Sequence, residues 1–339
     1  MARRGGWKRL GSRGSFRYLD GRGRPVRDEA ALERIESLRI PPAWRDVRIS
    51  PRPYAKLQAT GIDRAGRVQY LYHPDYRARQ EQAKFDKLVR FAENLPELRT
   101  AMAEHIALEP LTFEWTAAVA VRLINLGWFR VGDERHAKRF RTFGITTLRK
   151  RHVRVRGSRI TFRFHGKRRA LVRTALVDEE LAGAVRELLA VKGGRGLFRY
   201  RNGDGELTGL SGSRLNDYIQ EHLGEEFTAK DFRTWGGTLL AAVALAERGV
   251  AKTETEAKRT VAAVMRTVGE RLGNTPAVAR ASYVSPAVIE QYLVGRTIDD
   301  FRPRHLRIVG AHDVALDREE QAVLSLLRSH RIRRARRAA

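Results

Sequence analysis

The 339-residue sequence contains no cysteine. Disulfides and thiolate metal sites are therefore excluded, and the nine histidines show no metal-ligand spacing. There is no GxxxxGK[ST] phosphate loop, because Gly166-Lys167 is followed by Arg168, so an ATP-driven motor is not expected. No apolar run approaches the ~18 residues of a membrane-spanning helix, and no basic-then-apolar leader is visible. Acidic residues are also scarce: 39 Asp and Glu stand against 66 Lys and Arg, for a net charge of +27. So large an excess, spread along the chain, points to a polyanionic partner. The expectation is a soluble, cytoplasmic protein that handles nucleic acid without a cofactor.

With 42% of its residues hydrophobic, the chain has material for a core, and its length suggests two domains. Residues 1–15 are rich in Arg, Gly and Ser and read as a flexible basic arm. From Phe16 the chain reads as short strands around one helix: a turn at Asp20-Gly21-Arg22-Gly23, a helix capped by Asp28, and strands near Val47, Lys56 and Arg67. In the last of these Val68, Tyr70 and Tyr72 share one face, with Gln69 on the other. An aromatic ladder needs no ligand. The alternative is a DNA contact, with Gln69 on a base edge and the tyrosines on sugar or phosphate.

Residues 74–84 are polar and read as a linker. Helical periodicity follows: Phe85, Leu88 and Phe91, then Trp115, Val119 and Leu123 in a helix ending near Gly127. A strand pair (Val153 and Val155 against Ile160, Phe162 and Phe164) leads to a turn at His165-Gly166-Lys167-Arg168. Further helices run through Leu181–Leu189, from Ser211 or Ser213 to Leu223, from Thr228 to Arg248, and near Thr255–Leu272. A last one is expected from Asp317, ending in Arg331–Arg337. The fold class expected is α+β: a small N-terminal antiparallel sheet domain (16–78), a larger mainly helical catalytic domain with a short sheet (79–296), and a C-terminal extension (297–339).

The chemistry gathers on the stretch Leu272–Pro286. Gly273 suits a helix terminus, Thr275-Pro276 and Ser285-Pro286 each restart a helix, and Tyr283 falls at the junction. Upstream stand Arg130 in Phe-Arg-Val-Gly, Lys167 at a hairpin tip, Arg233 in Lys-Asp-Phe-Arg-Thr-Trp-Gly, and Asn274. Two guanidiniums can hold the non-bridging oxygens of a phosphodiester. A lysine can protonate a leaving alkoxide while a phenol attacks phosphorus. Gly132 is read as letting the backbone near Arg130 approach a phosphate closely.

At these residues the chain resembles the type IB DNA topoisomerases, and the small poxvirus-like and bacterial branch in particular, over roughly residues 16–296. Arg130, Lys167, Arg233 and Tyr283 match that family's catalytic set residue for residue. Its fifth position, usually histidine in the poxvirus and nuclear enzymes, is Asn274 here. An amide can still donate a hydrogen bond to a phosphate oxygen but cannot titrate. The resemblance implies relaxation of supercoiled double-stranded DNA through a 3′-phosphotyrosyl link, by a monomer that clamps DNA in the nucleoid, without ATP or metal. It implies DNA contacts at Gln69, Tyr70 and Tyr72, and at Arg135 and His136, where the residue types differ from the family's. Lys138, Thr147 and Lys230 complete the expected DNA-contact set. Two rivals remain: a tyrosine recombinase, which typically has His where Lys230 stands, and a noncatalytic basic chromosome or RNA-binding protein.

Overall fold

The computed structural model describes residues 6–12, 14–302 and 315–338. The chain divides into two compact units, residues 1–84 and 85–339. Each has its own hydrophobic core.

In the first unit β1 (Trp7–Leu10), β2 (Arg17–Leu19), β3 (Arg45–Ile49), β4 (Leu57–Ile62) and β5 (Val68–Tyr72) form one antiparallel sheet, ordered β2-β1-β3-β4-β5. Between β2 and β3 in the chain lies α1 (Glu29–Ser37), whose N-cap Asp28 accepts from the Ala31 amide at 2.9 Å. Ile35, Val47, Ile49 and Ala59 form the core, with Trp7, Trp44 and Leu71 packed on it. The strand β1 corrects the expectation of a loose arm over residues 1–15. Trp7 and Arg9 alternate inward along it, and the Arg9 guanidinium is held by the Pro41 and Trp44 carbonyls at 3.0 and 2.8 Å. The Arg and Gly content hid this, because an arginine here packs its stem and caps carbonyls instead of solvating a tail. Residues 1–5 and 13 of that arm lie outside the described residues.

The helix α2 (Pro74–Ile106) corrects a second expectation, since it runs without a break through residues 74–84. Proline is well placed as a first helical residue. The stretch reads as a linker because it is largely exposed and carries no apolar stripe until Phe85.

The core of the second unit is built on α3 (Phe113–Gly127), where every residue from Trp115 to Val121 is buried. Then come α4 (Glu134–Phe140), the sheet of β6 (Val153–Arg156), β7 (Arg159–His165) and β8 (Leu171–Val177), and α5 (Glu179–Ala190). The hairpin of β9 (Arg199–Arg201) and β10 (Leu207–Gly209) leads to α6 (Gly212–Leu223), capped by Ser211. Next are α7 (Ala229–Glu247), α8 (Glu254–Leu272), α9 (Pro276–Ser282) and α10 (Pro286–Leu293). The last element is α11 (Arg318–Ala338), whose Ala322, Val323, Leu326 and Leu327 belong to the same core. Its Glu320 is 4% exposed and accepts from Arg99 at 2.7 and 2.9 Å and from the Trp235 indole at 3.1 Å. The described residues of the C-terminal extension are thus part of this unit, not an appendage.

Candidate active site

Arg130 leaves the end of α3 on a turn made by Trp128, whose left-handed backbone (φ 50°) caps the helix. The loop that follows is stitched to the chain around Ile145. The Arg130 carbonyl accepts from the Ile145 amide at 2.7 Å, and the Val131 carbonyl accepts from the Thr146 amide at 2.8 Å. Gly132 is required here for a reason other than the one expected. Its φ is +110°, and a Cβ would stand 2.7 Å from Thr147 Oγ1. The glycine closes this loop against Gly144 and Thr147, so that Arg130 projects from a fixed backbone.

Arg233 lies in the second turn of α7 and is 5% exposed. Its Nη1 donates to the Trp128 carbonyl and its Nη2 to the Leu272 carbonyl at 2.6 Å, while its buried Nε has no partner. Both partners are neutral, and no carboxylate is bonded to Arg130 or Arg233 among the described residues. A buried cation without a counter-ion is costly. Burial first, then the nearby Arg130 charge, pull the Arg233 pKa down to about 10.

Tyr283 ends α9, and its ring lies beneath the Arg233 guanidinium, 5.1 Å from Cζ to the ring centre. It is half-buried. Two residues of α7 hold its backbone. Thr238 Oγ1 donates to the Tyr283 carbonyl at 3.3 Å and accepts from the Ser285 amide at 3.1 Å. Gly237 has room for no side chain, since a Cβ would meet the Tyr283 carbonyl oxygen at 2.6 Å. Burial alone would raise the pKa of the phenol. The charges of Arg233, Arg130 and Lys230 outweigh it and hold the pKa below the ordinary tyrosine value.

Asn274 follows the left-handed Gly273 that ends α8, and Thr275 caps α9 next to it. Its Oδ1 accepts from Arg130 Nη2 at 2.8 Å, and its Nδ2 donates to the Leu272 carbonyl at 3.2 Å. Asn274 therefore braces Arg130, and the second N–H of its amide has no partner among the described residues. Lys167 is exposed in the β7–β8 turn, where Arg168 and Arg169 both have positive φ (61° and 60°). It lines a cleft of about 130 Å³ together with Arg130, Arg233 and Gly273. With Arg130, His136 and Arg168 it also lines an adjoining cleft of about 660 Å³. Arg168 adds charge near Arg130 as well. Of the five residues singled out in the sequence, Arg130, Lys167 and Arg233 thus line one cleft, Asn274 is bonded to Arg130, and Tyr283 lies against Arg233.

The catalytic-core model of eukaryotic DNA topoisomerase I matches residues 73–294. The N-terminal-domain model of bacterial DNA topoisomerase IB matches residues 15–63. A DNA topoisomerase 1B of Acanthamoeba polyphaga mimivirus is 32% identical over 268 residues, covering 77% of this chain and 80% of its own. The monkeypox virus DNA topoisomerase I and the vaccinia virus DNA topoisomerase 1B are each 22% identical over 274 residues, with 78% of this chain and 83% of theirs covered. The chain belongs to the type IB DNA topoisomerases. It is accordingly a type I topoisomerase that relaxes DNA, and DNA is its substrate.

On this topoisomerase the expected DNA-contact residues fall into two groups. Arg135, His136 and Lys138 are exposed along α4, and Lys230 is exposed in the first turn of α7. Tyr70, 53% exposed, stacks on Tyr72 with ring centres 6.2 Å apart. Gln69 points the other way, and its amide donates to Asp63 in the preceding turn at 2.8 Å. Thr147 departs from the expectation. It is 7% exposed, and its hydroxyl accepts from the Gly144 amide at 3.0 Å and donates to the Gly144 carbonyl at 3.1 Å, so it has a loop to close and no surface to offer. Sequence reasoning missed Thr238 and Gly237. Their signal was the Gly236-Gly237 pair inside a helix, which marks close approach of another segment. No helix is long and apolar enough to cross a membrane among the described residues.

Proposed function

We propose that Tyr283 is the nucleophile. Its phenolic oxygen attacks a backbone phosphorus of duplex DNA, the 5′-oxygen leaves, and a 3′-phosphotyrosyl bond forms. Arg130 and Arg233 neutralise the charge that develops on the non-bridging oxygens. Asn274 holds Arg130 in place and offers its remaining N–H to the same oxygens. Lys167 protonates the departing 5′-oxygen. Rotation about the intact strand relaxes the supercoil, and the 5′-hydroxyl then displaces Tyr283. The phosphotyrosyl bond conserves the energy of the broken linkage, so no nucleotide is hydrolysed and no metal is needed for the exchange.

The observation that carries this reading is the pairing of two partly or fully buried guanidiniums, bonded only to neutral groups, with one half-buried phenol. A phosphodiester supplies the anion they lack. The enzyme acts as a monomer in the cytoplasm, on nucleoid DNA. Residues 16–78 and 79–296 serve as the two parts of a clamp around the duplex, with Gln69, Tyr70, Tyr72, Arg135, His136, Lys138 and Lys230 on the DNA. Relaxation of a supercoiled plasmid in chelator and without nucleotide tests the reaction. Tyr283→Phe is expected to bind DNA with unchanged affinity and to relax none of it. Relaxation by that variant would contradict the assignment, and recombination between two defined sites would favour the recombinase.

A further inference from the structure

The helix α11 changes character along its length. Its first half is anchored: Ala322, Val323, Leu326 and Leu327 are buried, Glu320 pairs with Arg99, Arg328 with Glu93 at 2.6 Å, and His330 with Glu290 at 2.7 Å. Past His330 every residue from Arg331 to Arg336 is exposed. Arg331, Arg333, Arg334 and Arg336 have no acidic partner among the described residues. Helical spacing places Ser325, Arg328, Ser329, Ile332, Arg333 and Arg336 along one side, where they line a shallow groove of about 430 Å³. A helix C-terminus favours a cation or two in its last turn. Four arginines within two turns exceed that need and repel one another, and hydroxyls alternating with guanidinium forks are the donor set that grips phosphate oxygens.

We propose that this basic end of α11 is an additional DNA-backbone contact, separate from the catalytic cleft and beyond the residues matched by the catalytic-core model. The occupant is nucleic acid and not a lipid surface, because a bilayer needs an apolar face. The large apolar residues described in α11 are committed to the core except Ile332, which is 54% exposed. The inference rests on DNA being the substrate.

The test uses the full chain carrying Arg331→Gln, Arg333→Gln, Arg334→Gln and Arg336→Gln together, all at exposed positions where folding is not at stake. Affinity for a duplex of about four helical turns is measured by anisotropy across a salt series, where each phosphate contact contributes about 0.9 to the log–log slope. The slope should become shallower by about 2 to 4, with at least roughly tenfold weaker binding near physiological salt. An unchanged slope overturns the proposal. So does an unchanged DNA slope accompanied by lost binding to phosphatidylglycerol vesicles, which would make the stripe a membrane contact. Covalent adduct formation by the unaltered chain reports the catalytic reading separately. Failure there is distinguishable from failure of the α11 contact.

Discussion

Arg233 is 5% exposed against two backbone carbonyls, and Arg130 leans on the amide of Asn274, so dipoles alone offset both charges until a phosphate arrives. That arrangement makes the free site sensitive to pH in a defined direction. The pKa of Tyr283 lies below the ordinary phenol value, so its phenolate fraction, and with it cleavage, should rise as pH climbs toward that pKa. Burial lowers the Arg233 pKa, but the Tyr283 phenolate raises it, so the guanidinium stays charged and cleavage should level off above that point instead of falling. A profile measured at subsaturating DNA reports the free enzyme, and a flat one from pH 7 to about 10.5 would count against this account. Lys167 has a different test. An ammonium is a better proton donor than a guanidinium, so Lys167→Ala should slow cleavage by about 10²-fold or more on an ordinary duplex. It should leave a duplex with a 5′-thiol leaving group, which needs no proton, nearly unaffected. Equal losses on both substrates would move the acid elsewhere, with Arg168 the nearest candidate. The candidate site residues could be picked out of the sequence because their types state their chemistry. Asn274 was legible as a polar group and not as the brace of Arg130, since a bond between residues 274 and 130 leaves no trace in local spacing.

At the scale of elements, Tyr283 is positioned by a helix it does not belong to. Thr238 on α7, itself fully buried, joins the Tyr283 carbonyl to the Ser285 amide. Thr238→Val keeps the shape and removes the hydroxyl, leaving the Ser285 amide unpaired. The expected cost is about 1 to 3 kcal/mol of stability, together with slower single-turnover cleavage at saturating DNA. Unchanged cleavage with lowered stability would reduce Thr238 to a purely structural role. Helix ends around this junction were readable in advance: Gly273 in the left-handed region, Thr275-Pro276 and Ser285-Pro286 at helix starts, Thr228 as a cap, and for α6 a choice of Ser211 or Ser213 that the fold resolves to Ser211. These signals are local and survive in any context. The strand β1 and the first turns of α2 were not readable. Charge dominates both stretches, and in β1 tertiary partners rather than local pattern decide the outcome.

Across the whole molecule, the charge of +27 foretold a polyanion but could not choose among enzyme, recombinase and passive binder. The choice came from the family match, alongside residues far apart in sequence that the second unit brings together: Arg130, Lys167 and Arg233 at one cleft, with Tyr283 against Arg233. Why they converge is a matter of packing. Arg130 and Arg233 share the Trp128–Leu272 region, and α7 and α8 carry Arg233 and Asn274 to it. No periodicity in the sequence encodes that meeting. The central claim is that one phenol exchanges places with a DNA sugar oxygen. Its most direct test is to trap the covalent complex on a duplex whose cleaved 5′ fragment diffuses away, digest it, and map the modified peptide. This account predicts a single 3′-phosphoryl link on Tyr283, absent in Tyr283→Phe. A link on any other residue, or relaxation with no covalent link, would contradict it.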